Sequence, residues 1–210
     1  MDLYIARHAE TTWNLAGRYQ GRRESALSGR GMQQGVVFGD AMARIAPRIE
    51  RIVASPLHRT RATAQFAADR LNVPLETDDA LLEIEHGTWN GRMRDEIAAN
   101  DPERYRLWRE RPQDVSFEGG ETVRDVMLRW QRFRAALHID VPTLLVTHDA
   151  VVRVALLDIT ERPLSDFWAM RAENAAYAHV HVDGAAWTLH NESISDHLTG
   201  MRASIEGQAL

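Results

Sequence analysis

The sequence predicts an α/β fold: a three-layer sandwich with a mostly parallel central sheet, helices on both faces and a helical lid insertion. Three observations carry this. Short apolar runs alternate with stretches of helical period. Basic residues stand just past the ends of three of those runs. One stretch, residues 86–120, breaks the alternation and is rich in Trp, Arg, Pro and Gly.

Residues 3–7 read as the first strand, followed by a polar turn. Gly29-Arg30-Gly31 leads into a helical run from about 32 to 45, where Val36, Val37, Met42 and Ile45 make an apolar face. Residues 51–54 form a second strand, stopped by Ser55-Pro56. A helix over 57–71 follows, with Thr63, Phe66, Ala67 and Leu71 along one side. Residues 122–138 make a third helix, 143–147 a short strand after Pro142, and 149–157 a helix that begins immediately after His148. Residues 177–182 and 186–190 pair as a hairpin over Asp183-Gly184. The whole chain, 1–210, is expected to be one domain, with a lid over about 86–120 and a peripheral polar tail over about 191–210.

Composition narrows the function classes. A net charge of −5 with no basic stripe argues against a general nucleic-acid binder. The absence of cysteine removes disulfides, thiolate catalysis and thiolate metal sites. No apolar run reaches membrane-spanning length and no signal-peptide pattern precedes the first strand, so a cytoplasmic protein without membrane partners is expected.

The chemistry lies at the strand ends, where open α/β sheets bind ligands. Arg7-His8, Ser55-Pro56-Leu57-His58-Arg59 and Thr147-His148-Asp149 all fall there. Such buried basic groups are costly unless an anion supplies charge-assisted hydrogen bonds, so together they suggest one phosphate-sized site. The planar forks of Arg7 and Arg59 suit phosphate oxygens. A histidine between them can serve as nucleophile, acid/base or phosphate ligand. Glu83 follows an apolar pair and is placed to offer a carboxyl to a leaving oxygen.

These residues resemble the histidine phosphatase superfamily, the phosphoglycerate-mutase-like group, over nearly the full length. Arg7-His8-Ala9-Glu10-Thr11 is similar to the Arg-His-Gly signature, and Asn14, Arg18, Gln20 and Gly21 to the pattern after it. Glu24, Leu27, Ser28 and Gly31 continue that pattern. Ser55-Pro56-Leu57-His58-Arg59 with Thr63-Ala64, Leu82-Glu83 with Gly87, Trp89 and Gly91, Gly119-Gly120-Glu121-Thr122 and Thr147-His148 complete the order. The resemblance implies that His8 attacks phosphorus to give a phosphohistidine that water then hydrolyses. Arg7, Arg59 and His148 hold the phosphoryl oxygens, and Glu83 protonates the leaving alkoxide and then helps activate water. It implies no metal and no cofactor, a small phosphate monoester as substrate, and a monomer or homodimer. Asn14, Gln20, Gly21, His86 and Asp149 are the candidate substrate-binding residues.

Two residues depart from the family pattern: Ala9 stands for glycine after the nucleophile, and Asp149 for glycine after the second histidine. Ala9 matters only where the backbone needs positive φ. Asp149 aimed at a phosphate dianion repels it; aimed away, it caps the following helix, which is the expectation. Glu85, two residues on, rivals Glu83, and the family register favours Glu83. His86 belongs to the pocket mouth or to the surface. His58, His138, His179, His181, His190 and His197 are read as solvated or satisfied by neighbours. Trp89 and Trp108 are candidates to contact substrate, while Trp130, Trp168 and Trp187 read as packing. Arg104, Arg106, Arg109 and Arg111 read as a solvated helix face. The leading reading is a phosphomonoesterase with an undefined substrate. Its rivals are a phosphoglycerate mutase, for which the segment 91–120 is short, a metal phosphohydrolase using His8, Glu10, His148 and Asp149, and a non-catalytic phosphate-binding protein.

Overall fold

A computed structural model describes residues 1–45, 48–202 and 208–209. In chain order the elements are β1 (Asp2–Arg7), α1 (Thr12–Ala16), α2 (Gly29–Ala43), β2 (Arg51–Ala54), α3 (His58–Leu71), β3 (Leu75–Thr77), α4 (Arg94–Asn100), α5 (Pro102–Glu110), α6 (Val123–Ala136), β4 (Thr143–Thr147), α7 (Asp149–Ile159), β5 (Tyr177–Asp183) and β6 (Ala186–Ile194), with short 3-10 turns between some of them. The strands form one sheet in the order β3-β2-β4-β1-β5-β6. The first four run parallel, and β5 and β6 close the edge antiparallel.

Strand alternation divides the interior into two cores. Leu3 and Ile5 of β1, Val53 of β2 and Leu145 of β4 pack with Val126 and Trp130 of α6 and Leu156 of α7. Tyr4, Ala6, Ile52, Ala54, Leu144 and Val146 point the other way, against Phe38 and Met42 of α2 and Ala64, Ala67 and Leu71 of α3. The sheet is therefore covered on both faces, which explains why β4 is buried at every position.

Several boundaries differ from the sequence reading for local reasons. The α2 helix starts three residues before the expected 32, because Ser28 caps it by accepting the Gly31 N–H at 2.9 Å. Its last expected residue, Ile45, lies beyond the helix end at Ala43. The polar turn after His8 contains α1, where Thr11 and Asn14 cap each other reciprocally. The β3 strand was not anticipated: it is only three residues long, pairs on one side only and is mostly exposed, so it carries little pattern.

Segment 86–120 holds α4, α5 and a 3-10 turn at Pro112–Asp114. Trp89, Trp108 and Phe117 from this segment belong to the first core, and each tryptophan makes an edge-to-face contact with Phe117. The tail departs from its expected peripheral position. Residues 191–194 complete β6, and Gln208 and Ala209 are buried. The expected tail residues 203–207 and 210 lie outside the described residues. Among the described residues no helix is long and apolar enough to cross a membrane.

Trp130 of α6 anchors the first core. It is fully buried, and its indole N–H donates to Asp158 at 3.1 Å. Asp158 also accepts from Gln131 at 2.8 Å and Arg134 at 2.8 Å, tying α6 to α7. Trp130→Ala is expected to lower stability by about 3–5 kcal/mol, read from denaturant unfolding midpoints. A loss below about 1 kcal/mol would mean that this core closes over the cavity, contrary to the anchoring role.

Candidate active site

The parallel register of β1 and β4 sets Arg7 beside Thr147, and the His8 N–H donates to the Thr147 carbonyl at 2.9 Å. This brings His8 and His148, 140 positions apart in sequence, to 5.3 Å between ring centroids in an edge-to-face arrangement. β2 lies on the other side of β4, so Ser55 reaches His148: its Oγ is 2.8 Å from Nε2. The sheet thus gathers residues from three strand ends, as the position of their apolar runs led us to expect.

Eight of the ten expected site residues, Arg7, His8, Asn14, Gln20, Gly21, Glu83, His86 and Asp149, line one small cavity of about 20 Å³. Arg59 and His148 adjoin it through Gly21 and His8. A larger cavity of about 720 Å³ lies at the hairpin turn, between Arg134, Asp158, Val182 and Trp187. It sits at the opposite ends of the parallel strands, and its half-buried Arg134 and Asp158 pair with each other, so it is not the centre of this chemistry.

His8 is held by its Nδ1, 2.7 Å from the Ala9 carbonyl. The carbonyl can only accept, so Nδ1 carries the hydrogen and Nε2 keeps its lone pair. The Ala9 N–H donates to Thr63 Oγ at 2.9 Å, and Asn174 donates to the His8 carbonyl at 3.0 Å. Ala9 is not among the residues with positive φ, so alanine adopts this backbone without strain.

Both arginines are fully buried and held chiefly by carbonyls. Arg7 donates through Nη1 to Ala172 O at 2.8 Å and through Nη2 to Gln208 Oε1 at 2.9 Å. Arg59 donates to Arg23 O at 2.8 Å and Gly21 O at 2.7 Å. Each Nε has no hydrogen-bond partner among the described residues. Gly21 is required here for two reasons: its φ is +50°, and a Cβ would fall 2.0 Å from Asn90 Oδ1.

Glu83 accepts the backbone N–H groups of Asp149 at 3.1 Å, Ala150 at 3.2 Å and Ile84 at 3.0 Å, which places it at the start of α7. Glu85 faces away, taking the Gly87 N–H at 2.9 Å and the Asn90 amide. The oxygen of Asn14 accepts from Thr11 at 3.0 Å, and that of Gln20 from Thr11 at 3.0 Å and from Ser25. His86 is buried in an aromatic nest of Tyr19, Trp108 and Phe117, and neither ring nitrogen has a partner among the described residues. It therefore belongs to the pocket, not to the surface.

Electrostatics follow from the burial. Desolvation, then the positive charges of Arg59 and Arg7, hold the pKa of His8 well below 6.5, against the pull of the Ala9 carbonyl. His148 is likewise held well below 6.5 by desolvation and by Arg59. Desolvation lowers His86 to about 3. Desolvation and the neighbouring Asp149 raise Glu83 above 4.5, although Arg59, the Ile84 N–H and Arg7 oppose them. Arg59 falls to about 10 through desolvation and remains charged at neutral pH.

Other expectations need correcting. Asp149 does not cap α7: His148 occupies the cap position and Asp149 is the first helical residue. Its carboxylate instead takes two bonds from Arg153, at 2.8 and 3.1 Å, and lies 3.4 Å from Arg7. Trp89 is a core residue bonded to Asp101 at 3.1 Å, whereas Trp108 lines the cavity. The arginine run, by contrast, is the solvated face expected: Arg106, Arg109 and Arg111 are exposed and Arg104 half-buried, with Arg104, Arg106 and Arg111 paired to Asp101, Glu110 and Asp114 and Arg109 over Trp168. Sequence reasoning missed Asn174, Gln208 and Arg153. Asn174 and Gln208 sit at the end of no apolar run and carry no local pattern, whereas Arg153 stands four residues after Asp149 on a predicted helix, an i,i+4 acid–base spacing that could have found it.

The model of the histidine phosphatase superfamily (branch 1) matches residues 3–194. The chain belongs to this superfamily. It is 33% identical over 201 residues to phosphoserine phosphatase 1 of Hydrogenobacter thermophilus, covering 94% of each chain. It is 29% identical over 197 residues to a protein of Erwinia tasmaniensis named a probable phosphoglycerate mutase, covering 89% of this chain and 87% of that one. Among solved structures it is similar to YhfR of Bacillus stearothermophilus, with a TM-score of 0.88 and 27% identity, covering 94% of this chain and 98% of that one. The histidine phosphatase fold thus accounts for the sheet, its helical layers and the convergence of strand ends described above.

Burial makes the site acid-sensitive. Unfolded histidine takes up a proton below about 6.5, while buried His8, His86 and His148 do not, so stability is lost as pH falls through that value. Each contributes about 1 kcal/mol of loss by pH 5.5. Glu83 acts oppositely, since its raised pKa favours the folded state as pH falls toward 4.5, but it is one group against three. Denaturant midpoints at pH 7.5 and 5.5 should show the fall, and His86→Phe should reduce it. An unchanged midpoint between those pH values would contradict the neutral, desolvated histidines.

Proposed function

We propose that this chain is a metal-independent phosphomonoesterase that works through a phosphohistidine at His8 and acts on a small phosphorylated metabolite. The observation that carries the reading is the fixed tautomer of His8. Its Nδ1 is engaged by the Ala9 carbonyl, which directs the Nε2 lone pair to the reaction beside two buried guanidiniums. A protonated imidazole has no lone pair to attack with, and burial beside Arg59 and Arg7 keeps this one neutral.

In the first step Nε2 attacks phosphorus in line, forming the N–P bond as the bond to the ester oxygen breaks. Glu83 gives its proton to that oxygen, which leaves as an alcohol; its raised pKa keeps the proton available. In the second step water attacks phosphorus, Glu83 carboxylate takes the proton, and the N–P bond breaks to release phosphate and restore His8. Arg7 and Arg59 meet the phosphoryl charge, and His148 donates from Nδ1 while its Nε2 accepts from Ser55. Asn14, Gln20, Gly21 and His86 line the wall where the rest of the substrate sits.

The mutase reading is the second one, since a relative bears that name. It uses the same first step but returns the phosphoryl group to an organic hydroxyl instead of water. Conversion of 3- to 2-phosphoglycerate without release of phosphate would favour it.

The test of the main reading is hydrolysis of p-nitrophenyl phosphate and of alkyl phosphates with EDTA present. His8→Ala should abolish turnover, a drop of at least about 10³-fold, while leaving the unfolding midpoint close to wild type. Turnover retained in that variant would sink the covalent route. Glu83→Gln should slow alkyl phosphates by about 10²–10⁴-fold and the aryl ester far less, because only a poor leaving group needs its proton. Equal loss on both would assign Glu83 a structural part.

A further inference from the structure

The carboxylate of Asp149 stands at the rim of a site built for anions, where a negative charge should be harmful. Its surroundings resolve the conflict. Arg153, one turn later in α7, grips it through Nε at 2.8 Å and Nη2 at 3.1 Å, and both side chains are almost wholly buried. Arg153 is itself fixed from outside the helix. Nη1 donates to the carbonyls of Phe167 and Met170, and the guanidinium lies over the rings of Phe167 and Trp168, 5.6 and 5.0 Å from their centroids. The pair is therefore neutral as a unit, and an approaching phosphate still meets the charges of Arg7 and Arg59.

The carboxylate also has a second neighbour. Oδ1 lies 3.4 Å from Arg7 Nη1, whose hydrogen bond goes to Ala172 O at 2.8 Å. Asp149 and Glu83 line the same cavity, and the Asp149 backbone N–H donates to Glu83 at 3.1 Å. From these contacts we propose that Asp149 is a positioning residue, clamped by Arg153, that orients the Arg7 guanidinium and keeps the leaving-group acid Glu83 in its working state. The inference rests on the phosphatase reading above.

The physical basis for the second part is the charge around Glu83. Arg7 from β1 and Arg59 from α3 favour its ionised form, and Arg22 donates to its backbone carbonyl at 3.3 Å. His8 and His86, on the same cavity, are neutral at working pH. Burial, and then the Asp149 carboxylate even though Arg153 pairs with it, oppose the two arginines at Glu83. Without it, Glu83 would face cations from β1 and α3 and a newly unpaired Arg153 in α7, and would give up its proton at lower pH.

The experiment is a pair of readouts on Asp149→Asn. The first follows the Glu83 carboxyl by 13C NMR against pH, with no turnover required. Its titration should move to lower pH by about one unit relative to wild type. The second is kcat and KM for an alkyl phosphate and for p-nitrophenyl phosphate across pH. For the alkyl ester, kcat should fall about tenfold and its basic limb should shift with the NMR titration, while KM does not rise. The aryl ester should change little. A Glu83 titration that stays in place overturns the proposal, as does an equal loss on both esters. A raised KM with unchanged kcat also overturns it, by making Asp149 a substrate contact.

If the single variant fails to fold, because it leaves Arg153 buried and unpaired, Asp149→Asn with Arg153→Gln removes both charges, and the Glu83 titration should still move to lower pH, by less than in the single variant. A wild type without His8-dependent turnover of any phosphate ester would defeat the phosphatase reading. The Glu83 titration would then still decide whether Asp149 acts on the carboxyl.

Discussion

The structure depends on burying two guanidiniums without neutralising them. Arg7 and Arg59 are almost fully shielded from water, yet most of their hydrogen bonds go to the carbonyls of Ala172, Gly21 and Arg23 and the amide oxygen of Gln208. Carbonyl dipoles satisfy the donors and fix the geometry while leaving net positive charge in place. Had carboxylates filled these positions, the anion would have had to displace them. The only carboxylate near either guanidinium at ion-pair distance among the described residues is Asp149, and Arg153 already claims it. The same positive charge, with burial, keeps His8 and His148 unprotonated.

That arrangement requires backbone segments that no helix or strand uses up. Gly21 turns through positive φ so that its carbonyl faces Arg59, and the loop ending at Ala175 does the same work for Arg7 and His8. Ala175 itself has φ +58°, an uncommon conformation for a residue with a side chain, and its N–H bonds the carbonyls of Arg7 and His8 at 3.1 and 3.2 Å. The His8 loop is thus pinned on one side by α3 through Thr63 and on the other by residues 174 and 175. Rigidity of this kind suits the in-line attack proposed for His8, where a small misplacement of Nε2 is costly.

Much of this could be read from residue order, and the reason is physical. Each strand is a short apolar run that ends abruptly in a polar or basic residue, and the parallel sheet aligns those ends. Arg7-His8, Ser55 and Thr147-His148 follow from that geometry, whereas the choice of Glu83 over Glu85 rests on the order of the motifs alone, because 82–86 lie outside any strand. What escaped notice depends on contacts between distant segments. Asn174 and Gln208 meet Arg7 and His8 across more than 160 residues, and neither lies in a periodic element. Asp149 was misplaced because an acidic residue beside a helix start suggests a cap; the partner that decides its role is one turn further on and is itself set by Phe167 and Met170.

The span of the Arg7 contacts has a consequence for synthesis. Arg7 and the strand that carries it are made well before Ala172 and Gln208, which hold the guanidinium and follow 165 and 201 positions later. At ribosomal speeds of about 5–20 residues per second, roughly 10–40 s separate the arginine from the last of its holders. β1 lacks its two sheet neighbours until β4 and then β5 have been made, and until then the His8 loop has no strand on either side to fix it. The site is therefore assembled long after its first residues are made, when Ala172 and then Gln208 reach Arg7.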